Sequence, residues 1–260
     1  MGNQKGLMAW TRASQLDRTL QCPGHLTLPH RRELSERALD AAEYGNLVHR
    51  WAETGKVSGS KSHCKTFEKK LAVLQAHGIT RETLWNVAGY HEVTFAYNCV
   101  DGRLGVCWLR GDASIDFKQK HDDDWITGTA DFVYIKNGFC GVNDLKTGML
   151  FDSQPDELSQ LYFYLMCWQK YCGKIGTDGY LEVNHWPKYP IDTLPCVEER
   201  LVPNLRLHKF EAYLGKLHRN YKNGDSPFVL GAECEYCPAQ EDCPLLKQND
   251  KDSEEIEKYE

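Results

Sequence analysis

The chain has 260 residues, of which 41% are hydrophobic and 26% are charged, and its formal net charge is −6. This composition is typical of a soluble globular protein, and no run approaches the roughly 18 consecutive apolar residues that a membrane span requires. The first residues lack the apolar core of a secretory signal peptide, so we expect an intracellular protein. The acidic balance argues against a non-specific nucleic-acid binder. However, segment 249–260 contains six acids and two lysines and so carries −4 of that charge.

The first third of the chain is predicted to be helical. A short helix near Ser14 leads into a turn at Cys22-Pro23. The polar, Ser/Lys-rich segment from Gly55 to Lys65 is typical of a mobile loop. The longer helices of this part are predicted at 34–54, 67–76 and 81–87.

From Glu92 onwards the hydrophobic pattern changes to that of β-strands. The dipeptides Asp101-Gly102 and Asn137-Gly138 are typical of tight turns between antiparallel strands. A central sheet is therefore expected in this part of the chain. The strands are predicted at 92–100, 103–110, 125–136, 139–147, 180–185 and 196–202, and the helices at 155–171 and 204–223.

Eleven cysteines are unusual in an intracellular chain, which has little use for disulfides. Cys234, Cys237 and Cys243 follow the spacing C-x2-C-x5-C, which is typical of a metal site that lacks one ligand. Cys22 is the best candidate for the fourth ligand, because it also lies in a Cys-Pro turn outside the predicted sheet and helices. Structural zinc and a [4Fe-4S] cluster both fit this spacing, and free thiols in a surface loop are the alternative.

Two neighbouring strands each carry an acid in an apolar setting. Asp144 is followed two residues later by Lys146 on the same face of its strand. The short Asn137-Gly138 hairpin should bring Asp131 beside this pair. Converging carboxylates are costly unless a cation lies between them, and their oxygens suit Mg²⁺ or Mn²⁺. A solvated Asp-Lys pair at an exposed strand end is the alternative interpretation.

Four more side chains are candidates for the same region. His49 lies on the long helix and is a candidate metal ligand. Gln160 and Tyr164 are four residues apart, hence on one face of a helix, and both can donate hydrogen bonds to a phosphate. For Glu92, at the start of the first strand, a structural role is favoured over support of the metal.

The order of these residues resembles that of a known nuclease family, the RecB-like branch of the PD-(D/E)XK nucleases. Within that branch the chain is similar to the iron-sulfur members, which include CRISPR-adaptation exonucleases, the nuclease domain of AddB and phage exonucleases. The resemblance extends from Ser14 to Pro244. It implies an α/β fold with a restriction-endonuclease-like core, in which helices flank a central mixed sheet. It rests on the four cysteines and on six residues between them: His49, Asp131, Asp144, Lys146, Gln160 and Tyr164.

The resemblance also implies a role for each of these residues. The catalytic group would be Asp131, Asp144 and Lys146, with Lys146 attending the attacking water. The ligands of the divalent metal would be His49, Asp131, Asp144 and the carbonyl of Leu145. The DNA backbone would be positioned by Gln160 and Tyr164. A [4Fe-4S] cluster, favoured by the resemblance over zinc, would join the two ends of the domain through Cys22, Cys234, Cys237 and Cys243.

One nuclease domain is expected over residues 1–248. It would comprise a helical part at 1–90, a catalytic sheet at 91–202, and a helix with the cysteine cluster at 203–248. Residues 99–124 are interpreted as an extra strand and an acidic loop of unassigned role. The acidic tail at 249–260 is expected to be disordered.

The implied activity is a metal-dependent DNA exonuclease that acts on single-stranded DNA or duplex ends. The setting would be recombination, repair, or phage- or CRISPR-related DNA processing in the cytoplasm of a bacterial or phage-infected cell. The expected partners are DNA and a helicase, recombination or CRISPR-adaptation protein, without a membrane. Two alternatives are a catalytically silent DNA-binding subunit of the same fold and a zinc-stapled interaction protein. The presence of Asp131, Asp144 and Lys146 together argues against the silent subunit, because such a group is costly to maintain.

Overall fold

The structure is a computed structural model that describes residues 11–28, 36–85, 87–109, 111–147, 158–230, 234, 237 and 239–247. Within these ranges, helices flank a mixed sheet of seven strands. The strands are β1 (Thr11–Arg12), β2 (Gly89–Asn98), β3 (Leu104–Cys107), β4 (Trp125–Lys136), β5 (Phe139–Lys146), β6 (Gly179–His185) and β7 (Cys196–Val202). The helices are α1 (Leu16–Gln21), α2 (Glu36–Thr54), α3 (Lys61–Ala76), α4 (Arg81–Leu84), α5 (Asp112–Gln119), α6 (Ser159–Tyr171) and α7 (Asn204–Asn223).

The sheet has the strand order β3-β2-β4-β5-β6-β7, with β1 paired to β4 outside this path. Its pairs are antiparallel except β5 with β6 and β1 with β4. The segment between β5 and β6 contains α6, because parallel neighbours require a long crossover. The predicted α/β fold with a central mixed sheet between helices is confirmed.

The β4–β5 hairpin fixes the register of the two central strands. Its turn residues Asn137 and Gly138 have φ angles of 54° and 84°, as the predicted two-residue turn requires. Strand β5 pairs with β4 only from Phe132 to Lys136. Earlier in β4, Ile126 and Thr127 pair with β1 instead. The two central strands therefore separate just beyond the Phe132–Asn143 pair.

Each face of the sheet has its own hydrophobic core. On one face, α6 is buried from Gln160 to Gln169 and packs with α7 and the sheet strands. On the other face, α2 and α3 pack against the end of β5. Their core includes Trp51, Phe67, Leu145 and Trp186. The two cores hold the sheet between α6 and α2.

The structure agrees closely with the strands and helices predicted in the second half of the chain. Elsewhere it corrects the predicted start of α3, the predicted end of α4 and the interpretation of segment 99–124. Helix α3 begins at Lys61, so the mobile loop predicted up to Lys65 is wrong there. The side chain of Ser60 accepts a hydrogen bond from the His63 backbone N–H and caps the new helix start. Helix α4 ends at Leu84, so the helix predicted over 81–87 is shorter than expected.

The unassigned segment 99–124 contains strand β3 and the unpredicted helix α5. None of the residues of α5 is fully buried, which explains why its hydrophobic pattern gives a weak helix signal. The predicted helix starts near 34 and 155 and the acidic tail lie outside the described residues. None of the helices in the described ranges is long and apolar enough to cross a membrane.

We predict that Phe67→Ala lowers the free energy of unfolding by about 3–5 kcal/mol. Phe67 is fully buried, and its ring contacts Tyr44 and Trp51 at centroid distances of 6.2 and 5.4 Å. Urea denaturation followed by circular dichroism measures the change. Leu39→Ala, at an exposed position of α2, is the control and should change stability by less than about 0.5 kcal/mol. Equal effects of the two substitutions would contradict this account of the core.

Candidate active site

The candidate site lies where β4 and β5 separate. Asp131 is the first residue of β4 beyond the last ladder pair, Phe132 with Asn143. Its Oδ2 atom accepts a hydrogen bond from the backbone N–H of Leu145 at 2.7 Å. The carboxylate thus takes the place of a strand carbonyl as the partner of this amide. The sequence prediction that the hairpin brings Asp131 beside Asp144 and Lys146 agrees with this register.

The alternation of side chains is broken in β2 and β4 at the same level of the sheet. In β2, Val93 lies in the α6-side core, and Tyr90, three residues earlier, also contacts α6 through Trp168. In β4, Ala130 and Val133 both lie in that core. Residues an odd number apart on a regular strand point to opposite faces. Both strands therefore change phase at this level.

The break in β2 coincides with a strained residue. Glu92 has a φ angle of 52°, which is uncommon for a residue other than glycine. The ladder pairs His91 with Phe132 and Val93 with Ala130 but omits Glu92 and Asp131, which lie opposite each other. Backbone strain of this kind clusters at functional sites. Here it frees Glu92 and Asp131 from regular pairing.

Helix α2 supplies the third side chain of the group. His49 Nδ1 lies 3.2 Å from Asp131 Oδ1. Gly45, one turn earlier on the same face, allows this close approach. A Cβ atom at position 45 would lie 3.0 Å from Thr147 Oγ1, at the end of β5. A side chain at position 45 would therefore crowd Thr147.

His49, Glu92 and Asp131 each offer a ligand atom, and these three atoms all lie within 4.8 Å of one another. A nitrogen and two carboxylate oxygens fit a divalent cation such as Mn²⁺ or Mg²⁺. The structure thus brings His49 and Asp131 together, and it adds Glu92, for which the sequence favoured a structural role. A carboxylate at the start of a strand is common, so the sequence around Glu92 gives no sign of metal binding. Only the pairing of β2 with β4, which places Glu92 opposite Asp131, reveals that role.

Asp144 and Lys146 lie on the α6 side of the point where β4 and β5 separate, which we call the fork. Lys146 Nζ is 2.7 Å from Asp144 Oδ2, and Gln160 Nε2 donates to Asp144 Oδ1 at 3.1 Å. Both carboxylate oxygens of Asp144 therefore contact side chains of the protein. Gln160, predicted to bind phosphate, donates to this carboxylate in the structure.

Tyr164 is buried one turn beyond Gln160. Gly128 allows its ring to lie against β4, because a Cβ atom at position 128 would lie 2.8 Å from Tyr164 Cε1. Burial raises the pKa of Tyr164 well above its ordinary value, and the nearby Asp144 and Asp131 raise it further. Tyr164 thus remains a neutral hydrogen-bond donor close to the acids.

The titration of the group reflects crowded carboxylates in a partly buried site. Burial raises the pKa of Glu92 to about 7, and the adjacent Asp131 contributes to the increase. Burial also raises the pKa of Asp144, with Asp131 adding to the rise and Lys146 opposing it. A bound cation would relieve this repulsion and favour the charged forms of both acids.

Burial has the opposite effect on the two basic groups, His49 and Lys146, whose pKa values the nearby acids raise. Burial lowers the pKa of His49, but the nearby acids Asp131, Asp144 and Glu92 together outweigh it and raise the value to about 9. Burial likewise opposes the charge of Lys146, whereas Asp144 raises its pKa. The pKa of Asp131 is lowered despite its burial, because His49 and the Leu145 N–H stabilise the carboxylate.

A cleft of about 410 Å³ opens between α2 and strands β2 and β4. The three-ligand group of His49, Glu92 and Asp131 lines one part of it. Asn46, Arg50 and Glu53 of α2 and Thr129 of β4 line the remainder. The candidate ligands are therefore accessible from solvent through a polar opening.

A second group of carboxylates is explained by ion pairs. Asp122, Asp123 and Asp124 lie close together. Lys222 Nζ lies 2.8 Å from Asp123 Oδ1 and 2.9 Å from Asp124 Oδ1. These contacts fix the start of β4 to α7, so this acidic group has a structural role.

The four cysteines predicted to act together line one cavity of about 260 Å³. They are Cys22, Cys234, Cys237 and Cys243. Cys22 follows α1, whereas the others lie at the far end of the chain, where successive turns link them. The N–H of Cys237 donates to Cys234 O, that of Gln240 to Cys237 O, and that of Cys243 to Gln240 O, each at 3.2 Å.

Two hydrogen bonds from backbone N–H groups join the segment after α1 to the segment after α7 beside this cavity. The N–H of Gly24 donates to Pro227 O at 2.8 Å. The N–H of Val229 donates to Cys22 Sγ at 3.4 Å. The structure thus brings the four cysteines to a common cavity.

We predict that Glu92→Gln weakens Mn²⁺ binding by about tenfold or more, because it removes a charged oxygen from the three-ligand group. Isothermal titration calorimetry measures this affinity. Glu53→Gln is the matched control, since Glu53 lines the same cleft but does not belong to the group. An unchanged affinity in Glu92→Gln, or an equal loss in both variants, would contradict the assignment of Glu92.

The comparison with protein families agrees with this architecture. The family model described as the PD-(D/E)XK nuclease superfamily matches residues 13–244. No significant match is found among curated proteins. A solved structure described as "Crystal structure of SSO0001" is similar over 94% of this chain and 89% of that chain, with 15% identity and a TM-score of 0.40. Because the family model matches most of the chain, the chain belongs to the PD-(D/E)XK nuclease superfamily, whose members are metal-dependent nucleases acting on DNA.

Proposed function

We propose that the protein is an exonuclease that hydrolyses phosphodiester bonds of single-stranded DNA or of duplex ends. The observation that carries this proposal is the fork between β4 and β5. There Asp131, with His49 and Glu92, lies opposite the Asp144–Lys146 pair. The preference for single strands and ends rests on the resemblance to RecB-like nucleases. The same resemblance supports a role in recombination, repair or phage- or CRISPR-related processing beside a helicase, recombination or CRISPR-adaptation protein.

A divalent cation in this site would supply Lewis-acid stabilisation of the phosphoryl oxygens. The residues of the chain provide the remaining functions. His49, Glu92, Asp131 and, after adjustment of its contacts, Asp144 would hold the cation. The Lys146 side chain is 42% exposed, so its ammonium group can reach a phosphate oxygen and orient the attacking water. Such fixed charges favour the extra negative charge that develops on the phosphate.

Gln160 and Tyr164 support this arrangement from α6. Gln160 fixes one oxygen of Asp144 and thereby directs the other towards Lys146. Tyr164 is protonated at neutral pH, burial raises its pKa further, and its hydroxyl would act as a donor for the strand being cut. In this proposal both residues position the reacting groups, and the leaving 3′-oxygen acquires a proton from water.

Cys22, Cys234, Cys237 and Cys243 would bind a [4Fe-4S] cluster that joins the ends of the domain. The preference for a cluster over zinc rests on the resemblance to the iron-sulfur members of the RecB-like nucleases, and the common cavity lined by the four cysteines is compatible with it. The hydrogen bond from Val229 N–H to Cys22 Sγ is typical of sulfur ligands in such clusters. The role of the cluster would be structural.

We predict that Asp144→Asn and Lys146→Ala each reduce DNA cleavage by about 10²-fold or more, because each removes a charge that acts on the reacting phosphate. The assay follows single-stranded DNA labelled at either end, with Mg²⁺ or Mn²⁺, and so also reports polarity. Lys136→Ala is the matched control, because Lys136 forms an ion pair with Glu199 at the opposite end of β4. Parental rates in both Asp144→Asn and Lys146→Ala would refute the site assignment.

Iron and sulfide analysis after anaerobic purification tests the cluster. We predict about four iron and four sulfide ions per chain, and loss of both in Cys237→Ser. Cys196→Ser is the matched control, because this exposed cysteine of β7 lies outside the cavity, and it should retain the full content. A colourless protein with stoichiometric zinc would instead favour the zinc-stapled alternative.

A further inference from the structure

A hydrogen bond from a distant part of the chain fixes the first turn of α6. The backbone N–H of Ser159, the first residue of this helix, donates to Asp17 Oδ1 at 2.8 Å. Asp17 belongs to α1, and 142 positions separate it from Ser159 in the sequence. A carboxylate at this place satisfies an N–H of the first turn and interacts favourably with the positive end of the helix dipole.

The residue that precedes α6 cannot make this contact. Leu158 occupies the N-cap position, where helices favour Ser, Thr, Asp or Asn because their side chains accept hydrogen bonds from the first turn. A leucine side chain has no such acceptor. The acceptor therefore comes from α1, and its removal would loosen the start of α6.

The same turn of α6 carries the side chain that holds Asp144. Gln160 directly follows Ser159, and its Nε2 donates to Asp144 Oδ1 at 3.1 Å. Gln160 is 8% exposed and Asp144 is 6% exposed, so little water reaches this contact. Two hydrogen bonds on adjacent residues of α6 thus connect Asp17 to a carboxylate of the candidate active site.

Helix α1 gives Asp17 a fixed position. Leu16 is fully buried in the α6-side core. Thr19 is also fully buried, and its Oγ1 lies 3.1 Å from the Oγ1 of Thr11 in strand β1, which pairs with β4. Beyond the other end of α1, Cys22 lines the cysteine cavity. Helix α1 therefore joins that cavity to the candidate active site.

We propose that Asp17 is a positioning residue, which fixes the first turn of α6 and thereby keeps Gln160 against Asp144. Asp144 in turn keeps its place beside Lys146. This inference rests on the proposed nuclease function and adds to it a residue from the N-terminal helical part. A displacement of a reacting group by about 1 Å can lower a rate about 10²-fold, so a looser first turn should slow cleavage.

The charge of Asp17 has to be separated from its hydrogen bond. Burial lowers the pKa of Lys146, nearby acids led by Asp144 raise it, and Asp17 is one of these acids. Asp17→Asn distinguishes the two effects, because an asparagine keeps an oxygen that can accept the Ser159 N–H but carries no charge.

The test measures kcat and KM for cleavage of end-labelled single-stranded DNA by the full chain with Mn²⁺, at a temperature at which circular dichroism shows every variant folded. Asp17→Ala should lower kcat about tenfold with little change in KM, because the binding surface is retained. Asp17→Asn should keep most of the parental kcat. The urea midpoint of unfolding is measured for each variant.

Asp178→Ala is the matched control. Asp178 Oδ1 accepts the N–H of Asn204, the first residue of α7, at 2.9 Å. The contact is of the same kind, but α7 carries none of the proposed site residues. Asp178→Ala should lower the urea midpoint about as much as Asp17→Ala and should cleave DNA like the parent. This pair separates positioning from stability.

A double-mutant cycle tests whether Asp17 acts through Gln160. Gln160→Ala should itself lower kcat, because it releases Asp144. The double variant Asp17→Ala/Gln160→Ala should then be no slower than Gln160→Ala alone, since the connection is already broken. Independent effects would multiply instead.

Four results would overturn the inference. They are a parental kcat in Asp17→Ala, equal losses of kcat in Asp17→Ala and Asp178→Ala, equal losses in Asp17→Asn and Asp17→Ala, and multiplied losses in the double variant. The parent tests the proposed function separately. If it cleaves neither single-stranded DNA nor duplex ends with Mg²⁺ or Mn²⁺, the proposed function fails. If it cleaves and Asp17→Ala matches it, only this inference fails.

Discussion

The hydrogen bond from the Leu145 backbone N–H to Asp131 Oδ2 closes the gap that forms when β4 leaves β5. An amide at such a fork would otherwise lack its strand partner, and a buried unpaired N–H is costly. The carboxylate that satisfies it is thereby fixed opposite Asp144. Because this position follows directly from the Asn137-Gly138 hairpin register, a two-residue turn at one end of the strands determines which acids meet at the other end.

The site brings together groups that repel one another, and the two cores keep them in place. Three carboxylates converge, and burial raises the pKa of Glu92 to about 7 and that of Asp144 above its usual range. The α2–α3 core holds His49 against Asp131, whereas the α6 core holds Gln160 against Asp144. Neither core alone fixes both halves of the site. A divalent cation would stabilise an arrangement that the packing otherwise maintains against repulsion.

Much of the fold could be predicted because its signals are local. The alternation of β4 and β5, the Asn-Gly turn and the helical period of α6 and α7 depend on residues that are close in the chain. The start of α3 and helix α5 were missed for the opposite reason. Helix α3 starts in a polar segment capped by Ser60, and α5 has no fully buried residue. In both cases contacts with other elements, which hydrophobic patterns do not report, help to stabilise the helix: Asp40 of α2 with His63 of α3, and Thr94 of β2 with Ser114 of α5.

For the site, the sequence by itself determined the chemistry of the donors: the acid and lysine spacing of β5, the acid of β4, the pair on α6 and the four cysteines. It also determined which of these residues are neighbours within the β4–β5 hairpin and along α6, since hairpin register and helix period depend on residues that are close in the chain. Only the tertiary structure decided that Glu92 joins His49 and Asp131. That grouping requires a strained backbone in β2 opposite a break in β4, and both depend on pairing between strands that lie more than 30 residues apart. The sequence of either strand alone carries no signal of where the other loses its alternation.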